Sequence, residues 1–347
     1  MPHTEWVLIA GLILGLLFGA VGQQTGFCLL RGLKNRWVEG DGRKLRAFAL
    51  AMAVALLGTQ ALAVLAPIDL GASVHPQRTL SLLIPIGGVL FGLGMVMANG
   101  CGARSLVLLG TGNLRSLVVL LCLGIAAYMT MSGVLANGRL AVEGAVQFRL
   151  PAATWWQWLA SLGMDGQLAR WLVTVVLVVL LSAYALANSA FRRSGRDLAG
   201  GLLIGLLIPA GWWITGVLGD DVFDPVRLAS LSFVAPIGDS LQYLMISTGI
   251  SLTFPVAVVA GIVAGSFALS LITGGLHWQG FDSPRHIRRS VLGGVLMGIG
   301  GVMALGCSIG QGLTGFSTLA ISAWLALGGI VLGAWLGVRP LKSWVSP

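Results

Sequence analysis

The stretch GVLMGIGGVMALGC, residues 294–307, sets the frame on which the chain is built. Gly294 and Gly298 lie one helical turn apart, thirteen and nine residues before Cys307. The same frame recurs as GVLFGLGMVMANGC at 88–101 and as GLLFGAVGQQTGFC at 15–28. Cys28, Cys101 and Cys307, three of the four cysteines, therefore occupy one repeated position. Small residues a turn apart let membrane helices approach backbone to backbone. The glycine just before each thiol (Gly26, Gly100, Gly306) marks the end of that helix. Glycine spacing alone needs no more than packing, since 51 of 347 residues are glycine. Its anchoring on three thiols places these cysteines in one site or pathway.

Composition sets the surroundings. The chain is 56% hydrophobic and 10% charged, with a mean hydropathy of +0.90, whereas soluble domains carry about 25% charged residues. Apolar runs long enough to cross a bilayer recur from end to end, and hydrocarbon forces them into helices. The expectation is an all-α polytopic membrane protein with about nine transmembrane helices, at roughly 6–22, 47–66, 80–98, 114–136, 168–190, 198–214, 253–275, 290–306 and 319–337. The first run, from Trp6, lacks the basic leader and small-residue cleavage pattern of a signal peptide. The net charge of +9 sits between the apolar runs, which points to lipid headgroups and not to nucleic acid. The cysteines form no C-x-x-C pair, and no metal ligand set or cofactor signature is present.

Charge orients the spans. Sixteen of the 21 Lys and Arg residues fall on one set of connections: 31–46, 104–115, 192–196, 285–289 and 339–342. Arg78, Arg139, Arg149, Arg170 and Arg227 fall on the other. The positive-inside rule places the first set in the cytoplasm, the N-terminus outside and the C-terminus inside. The glycine helices before Cys28 and Cys101 then run inward and that before Cys307 outward. A fourth copy of the frame, Gly201 and Gly205, has Ile214 at the cysteine position. The expected organisation is two inverted-topology halves, 1–137 and 198–347, joined by a connector at 138–197, as in many transporters.

After each thiol comes a piece too short to span and too apolar for an ordinary loop: 29–36, 102–113 and 308–316. These read as re-entrant half-helices, with 239–249 as the partner piece in the thiol-less copy. Irregular backbone at such depth is tolerated only where protein buries it or it lines a cavity. Polar residues cluster at the same breaks: Gln23 and Thr25 before Cys28, Asn99 before Cys101, Ser308 and Gln311 after Cys307. They are candidates both for contacting a solute and for capping broken helices. Arg104, three residues after Cys101, fits an anion-attracting role or a topological one. A neutral thiol is a weak donor and polarizable acceptor, and a helix N-terminus beside it favours an anion. Cys122, off the frame, reads as an ordinary buried residue. No span interior carries Asp or Glu, against a carboxylate relay. Asp220, Asp221 and Asp224 read as a solvated acidic loop.

The motifs Gly26-Phe27-Cys28, Asn99-Gly100-Cys101-Gly102-Ala103-Arg104 and Leu305-Gly306-Cys307-Ser308-Ile309-Gly310-Gln311-Gly312 resemble the three cysteine motifs of the YeeE/YedE family of sulphur-transport membrane proteins, over about residues 11–337. The resemblance implies a bacterial inner-membrane importer of thiosulfate or a related small sulfur anion, an hourglass of inverted repeats in which Cys28, Cys101 and Cys307 relay the substrate. It implies a possible partnership with a small soluble cytoplasmic sulfur-carrier protein. Some relatives are linked with selenium, so a selenium compound is an alternative cargo. Two other classes stand beside it: a membrane thiol oxidoreductase or sulfurtransferase using a persulfide, and a Cu(I) channel. No base lies beside the thiols in sequence and the four histidines (His3, His75, His277, His286) sit near span ends, against the first. No Met- or His-rich approach supports the second. No nucleotide-binding signature is present.

Overall fold

A computed structural model describes residues 3–66, 68–221, 226–281 and 283–339. Asp224 of the acidic cluster and Lys342 of the last basic group lie outside them. The chain runs α1 (His3–Thr25), α2 (Leu29–Lys34), α3 (Arg43–Leu65), β1 (Thr79–Ser81), α4 (Leu83–Met97), α5 (Gly102–Gly110), α6 (Leu114–Met131) and α7 (Ala136–Ala145). It continues with β2 (Gln147–Arg149), α8 (Trp155–Ala160), α9 (Gly166–Leu186), α10 (Ser189–Arg193), α11 (Gly195–Trp213), α12 (Val234–Ile246), α13 (Phe254–Thr273), α14 (Pro284–Met303) and α15 (Ile321–Val338). The protein is an all-α, multi-pass membrane protein.

Among the described residues, eight helical stretches are long and apolar enough to cross a membrane. The sequence reading has nine. The difference is α14, whose first two turns hold Arg285, His286, Arg288 and Arg289 and so lower its mean hydropathy. Its remainder packs along both α4 and α6, inside the group of spanning helices. α9, the fifth span, packs mainly along α3 and leaves Val175, Val179 and Leu180 exposed, as a lipid-facing connector should. A short antiparallel pair, β1 with β2, interrupts the helices, and in it Leu80 opposes Phe148. It ties the connection before α4 to the connection after α7.

The glycine frames are where helices touch. A Cβ on Gly15 would lie 2.2 Å from the Val258 carbonyl oxygen, and one on Gly261 2.3 Å from that of Leu12, so α1 and α13 meet glycine to glycine. α4 and α15 repeat the arrangement: Gly88 lies against the Ala326 carbonyl and Gly329 against that of Pro85. The other two frames use the remaining spans: Gly201 and Gly205 of α11 lie on the Ala47 and Ala51 carbonyls of α3, and Gly294 and Gly298 of α14 on the Val119 and Leu123 carbonyls of α6. The pairing is reciprocal. The glycine helix α1 packs on α13, the span that follows α11, and α11 packs on α3, the span that follows α1. In the same way α4 packs on α15, the span that follows α14, and α14 packs on α6, the span that follows α4. α4 and α14 also cross directly, Gly87 against Gly300 and Gly94 against Gly293.

Without a hydrophobic difference between lipid and side chain, this close approach is what holds spanning helices together. Gly333→Val would push a Cβ to 2.1 Å from the Val89 carbonyl oxygen and force α15 off α4. The expected result is a loss of about 1–3 kcal/mol, read as a lowered melting temperature of the detergent-solubilised protein. Gly328→Val, one residue away with no atom within 4 Å, is the control.

Candidate functional site

The three thiols sit at one local geometry. In each copy the glycine helix is ended by a left-handed residue two positions before the cysteine: Gly26 (φ 63°), Asn99 (φ 57°) and Leu305 (φ 58°). The broken backbone closes on itself. Gly26 N–H donates to the Gly22 carbonyl, Gly100 N–H to Met95 and Gly306 N–H to Gly301. Each cysteine then opens the next piece: Cys28 precedes α2, Cys101 precedes α5, and Cys307 precedes a wide helical turn at Gly310–Gly315. Each piece closes at another left-handed residue eleven or twelve positions after its cysteine: Gly40, Gly112 and Leu319. The pieces predicted as half-helices are present. That in the thiol-less copy, α12, starts at Val234, five residues earlier than the sequence reading, with Pro236 inside its first turn, where a missing N–H costs nothing. That copy also lacks the break: α11 runs helically through Ile214 to Leu218.

The breaks converge. Cys28, Cys101 and Cys307 are all buried, free thiols. The thiols of Cys28 and Cys101 are neighbours, the Ser308 hydroxyl faces Cys101, and Cys307 lies near it. Backbone N–H groups point at the sulfurs: Leu30 and Arg31 at Cys28, and Gly310 at Cys307 with N···Sγ 3.3 Å. On the Cys28 side stand two guanidinium groups, Arg31 and Arg104. The missing Cβ of Gly26 makes room for them, at 2.7 and 3.8 Å from its ideal position. Cys122 packs instead against Gly294 on the α6–α14 contact, away from the site.

The polar candidates divide. Ser308 and Gln311 are fully buried at the Cys307 turn. Gln311 donates from Nε2 to the Ala304 carbonyl (2.7 Å), bracing the break, while its Oε1 and the Ser308 Oγ have no hydrogen-bond partner among the described residues. Asn99 is exposed and holds the left-handed hinge of its copy. Gln23 is committed to α13, donating to Ser270 Oγ (2.7 Å) and accepting from Ser266 Oγ (3.2 Å). Thr25 bonds back to the Val21 carbonyl, and its own carbonyl accepts from Lys44, which pairs with buried Asp197 at 2.5 Å. The re-entrant α12 carries Asp239, which shares the Tyr128 hydroxyl with Gln242. No group of three or more His, Cys, Asp or Glu side chains suited to a metal ion occurs among the described residues.

Sequence reasoning missed His75. It sits in the connection between α3 and α4, yet it is buried, and its Nδ1 faces Gln311 Oε1 across Gly315. A Cβ on Gly315 would lie 2.7 Å from that oxygen and 2.9 Å from the nitrogen. The Ser322 hydroxyl donates to the His75 carbonyl (2.7 Å) and fixes the segment. Nothing in the local sequence marks this histidine, because the burial comes from α15 and the Cys307 turn. Burial holds its imidazole down to about 4, against the opposite pull of Gln311.

The profile of the sulphur transport family matches residues 24–336. The thiosulfate transporter TsuA of Escherichia coli (strain K12) is 28% identical over 362 residues, covering 97% of this chain and 97% of that protein. The thiosulfate transporter TsuA of Spirochaeta thermophila is 27% identical over 337 residues, covering 94% and 96%. The probable transporter YedE of Escherichia coli is 27% identical over 82 residues, 24% of this chain and 20% of that protein.

Two outcomes test the geometry. Leu305 is an L-residue with a side chain in a left-handed well, which costs about 1–2 kcal/mol. Leu305→Asn, matching Asn99, should keep the fold, whereas β-branched Leu305→Val should lower the melting temperature clearly further. The folded His75 is neutral and its pKa lies below the unfolded value of about 6.5. Its contribution is therefore present above pH 6.5 and lost as pH falls toward 4. Between pH 7 and 5 the wild type should lose about 2 kcal/mol more than His75→Gln, read from paired melting curves.

Proposed function

Since this chain belongs to the sulphur-transport family, we propose that it is an importer of thiosulfate or a closely related small sulfur anion, passed along Cys28, Cys101 and Cys307. The observation that carries this reading is the convergence of three left-handed breaks on one group of buried thiols. A hydrophobic core has no use for backbone that leaves three helices at one place. A conduit does, because the breaks at Cys28 and Cys307 turn N–H groups toward a sulfur.

The chemistry suits a soft anion. Thiosulfate presents a polarizable terminal sulfur together with sulfonate oxygens. An S–H group is a weak donor and a soft neighbour. Amides of Leu30, Arg31 and Gly310 add dipoles without a fixed charge. Such sites bind weakly and in series, which lets an ion enter and also leave. The thiols act here as neutral donors. A thiolate would repel the cargo and hold any metal. Ser308 and Gln311, each with an oxygen that has no hydrogen-bond partner among the described residues, are the polar groups at the Cys307 stage. Arg104, with Arg31, draws the anion off at the Cys28 stage. Gln23, Thr25 and Asn99 hold the breaks in shape.

The reciprocal helix pairing supports two halves of opposite topology, 1–137 and 198–347, about the connector 138–197. With the basic connections in the cytoplasm, the N-terminus lies outside and the C-terminus inside a bacterial inner membrane, and Cys307 lies toward the outside. The Cys28 side then delivers to the cytoplasm, where a small soluble sulfur carrier is the fitting acceptor. The contact between Cys28 and Cys101 also fits a thiol–disulfide enzyme, and serine separates the two readings.

Purified full-length protein in proteoliposomes should take up sulfur-labelled thiosulfate saturably. Cys101→Ala and Cys307→Ala should lower the rate at least tenfold, and the serine variants should retain a measurable fraction. Equal loss in the serine and alanine variants would favour the persulfide chemistry instead. No uptake by the folded wild type would remove thiosulfate as cargo, leaving sulfite and selenite to be tried in the same vesicles.

A further inference from the structure

A cavity of about 230 Å³ lies away from the thiols, between the start of α9, the end of α3 and the connection that carries His75. Its wall includes Arg170, Gln60, Thr318, Trp156, Asp69 and Pro76. Arg170 stands in the second turn of α9 and is only partly exposed. Among the described residues its guanidinium makes one hydrogen bond, from Nε to Gln60 Oε1 at 2.7 Å, and no ion pair. A guanidinium has five N–H donors, so most of this fork is uncommitted. The carboxylate on the wall, Asp69, accepts from Gly71 N–H at 2.8 Å and does not pair with Arg170.

The cavity is wired to the cysteine turn. Gln60 Nε2 donates to the Ser317 carbonyl at 2.6 Å, and the Ser317 hydroxyl donates to that of Thr314 at 2.7 Å. The Thr318 hydroxyl donates to the Gly315 carbonyl, and Gly315 is the residue across which His75 and Gln311 face each other. Pro76, on the wall, directly follows His75. A cation held by a neutral amide, with its free donors in a cavity beside the turn that follows Cys307, is the arrangement that binds an oxyanion through two parallel N–H···O contacts.

We propose that this cavity is a separate oxyanion-binding site, held by Arg170 with Gln60 and Thr318, where the anion loses part of its hydration before it reaches Cys307. The site rests on the transport reading for its role, though not for its binding. The His75–Pro76 segment forms the partition between the cavity and Gln311.

The test uses the full-length protein and two readouts. In proteoliposomes, Arg170→Gln should raise the half-saturating thiosulfate concentration about tenfold, with the maximal rate within twofold of wild type. Arg170→Lys should recover part of the loss. Uptake by the wild type should fall more steeply with added salt than uptake by Arg170→Gln. In detergent, thiosulfate and sulfate are titrated calorimetrically into protein carrying Cys101→Ala and Cys307→Ala. Binding should persist there and weaken about tenfold on adding Arg170→Gln, at an unchanged melting temperature. An uptake curve and an anion affinity that Arg170→Gln leaves unaltered would overturn the site. If the wild type moves no thiosulfate but Arg170 still governs anion affinity, the transport reading fails and the site stands. If thiosulfate moves and Arg170 has no effect, the reverse holds.

Discussion

Backbone that leaves a helix inside hydrocarbon must find its hydrogen bonds within the protein. Three places in this chain meet that demand in one way, and the rest of the structure is arranged around them. The left-handed residue turns the chain so that the next N–H groups reach back to the last helical carbonyls, as from Gly100 to Met95 and from Gly306 to Gly301. The following piece then begins with N–H groups that no helix supplies with partners. At Cys307 one of them goes to the thiol itself. The thiol is therefore itself a cap on the turn that follows it. Such a design needs helices close enough to exclude lipid from the exposed backbone. The glycine contacts, at which a Cβ would fall within 2.1–2.9 Å of a neighbouring carbonyl oxygen, provide that closeness.

What the sequence makes legible follows from which residues have no substitute. Glycine at a helix contact and cysteine at a break are chemically singular, so their spacing reveals the repeated frame, the spans and the thiol cluster. Geometry that an ordinary residue can be forced into leaves no trace. Leu305 and Leu319 are left-handed, yet leucine carries no preference for that well. The fourth frame, at Gly201 and Gly205, has the spacing, yet α11 simply continues through Ile214. The span read at 290–306 is legible from its apolar run and glycine frame, although the basic start of α14 lowers the mean hydropathy of the whole helix. His75 is invisible for a different reason: its burial is made by Gly315 and Ser322, some 240 residues further along the chain. Local pattern cannot report a contact made at that separation.

Gln23 shows the limit from the other side. Its place five residues before Cys28 makes it a natural solute ligand on paper. In the fold its Nε2 donates to Ser270 Oγ, and its Oε1 shares the single Ser266 hydroxyl donor with the Val107 carbonyl of α5. The residue ties α1, α5 and α13 together at the height of the thiols. A polar side chain at membrane depth is costly unless partnered, so finding its partners in neighbouring helices removes the need for a ligand. The same reasoning applied to Ser308 and Gln311 gives the opposite result, because each keeps one oxygen with no hydrogen-bond partner among the described residues.

On the transport reading, the distribution of charge along the route has a mechanistic meaning. Full positive charges occur at its two ends, Arg170 beside the turn that follows Cys307 and Arg31 with Arg104 beside Cys28. The stretch between them is lined by thiols, a hydroxyl and an amide. A cation in that middle stretch would hold an anion in a low-dielectric interior far more strongly than at a surface, and release would become the slow step. Neutral, polarizable groups give attraction that grows with contact and carries no long-range trap. Cysteine supplies this without the strong hydration of an alcohol, and its weak S–H donor leaves the cargo mobile. Serine at the same positions would be a better donor and a harder one, suited to an oxygen face of the anion and less to a sulfur face. The choice of three cysteines over three serines thus points to a cargo whose charge is spread onto a large, soft atom.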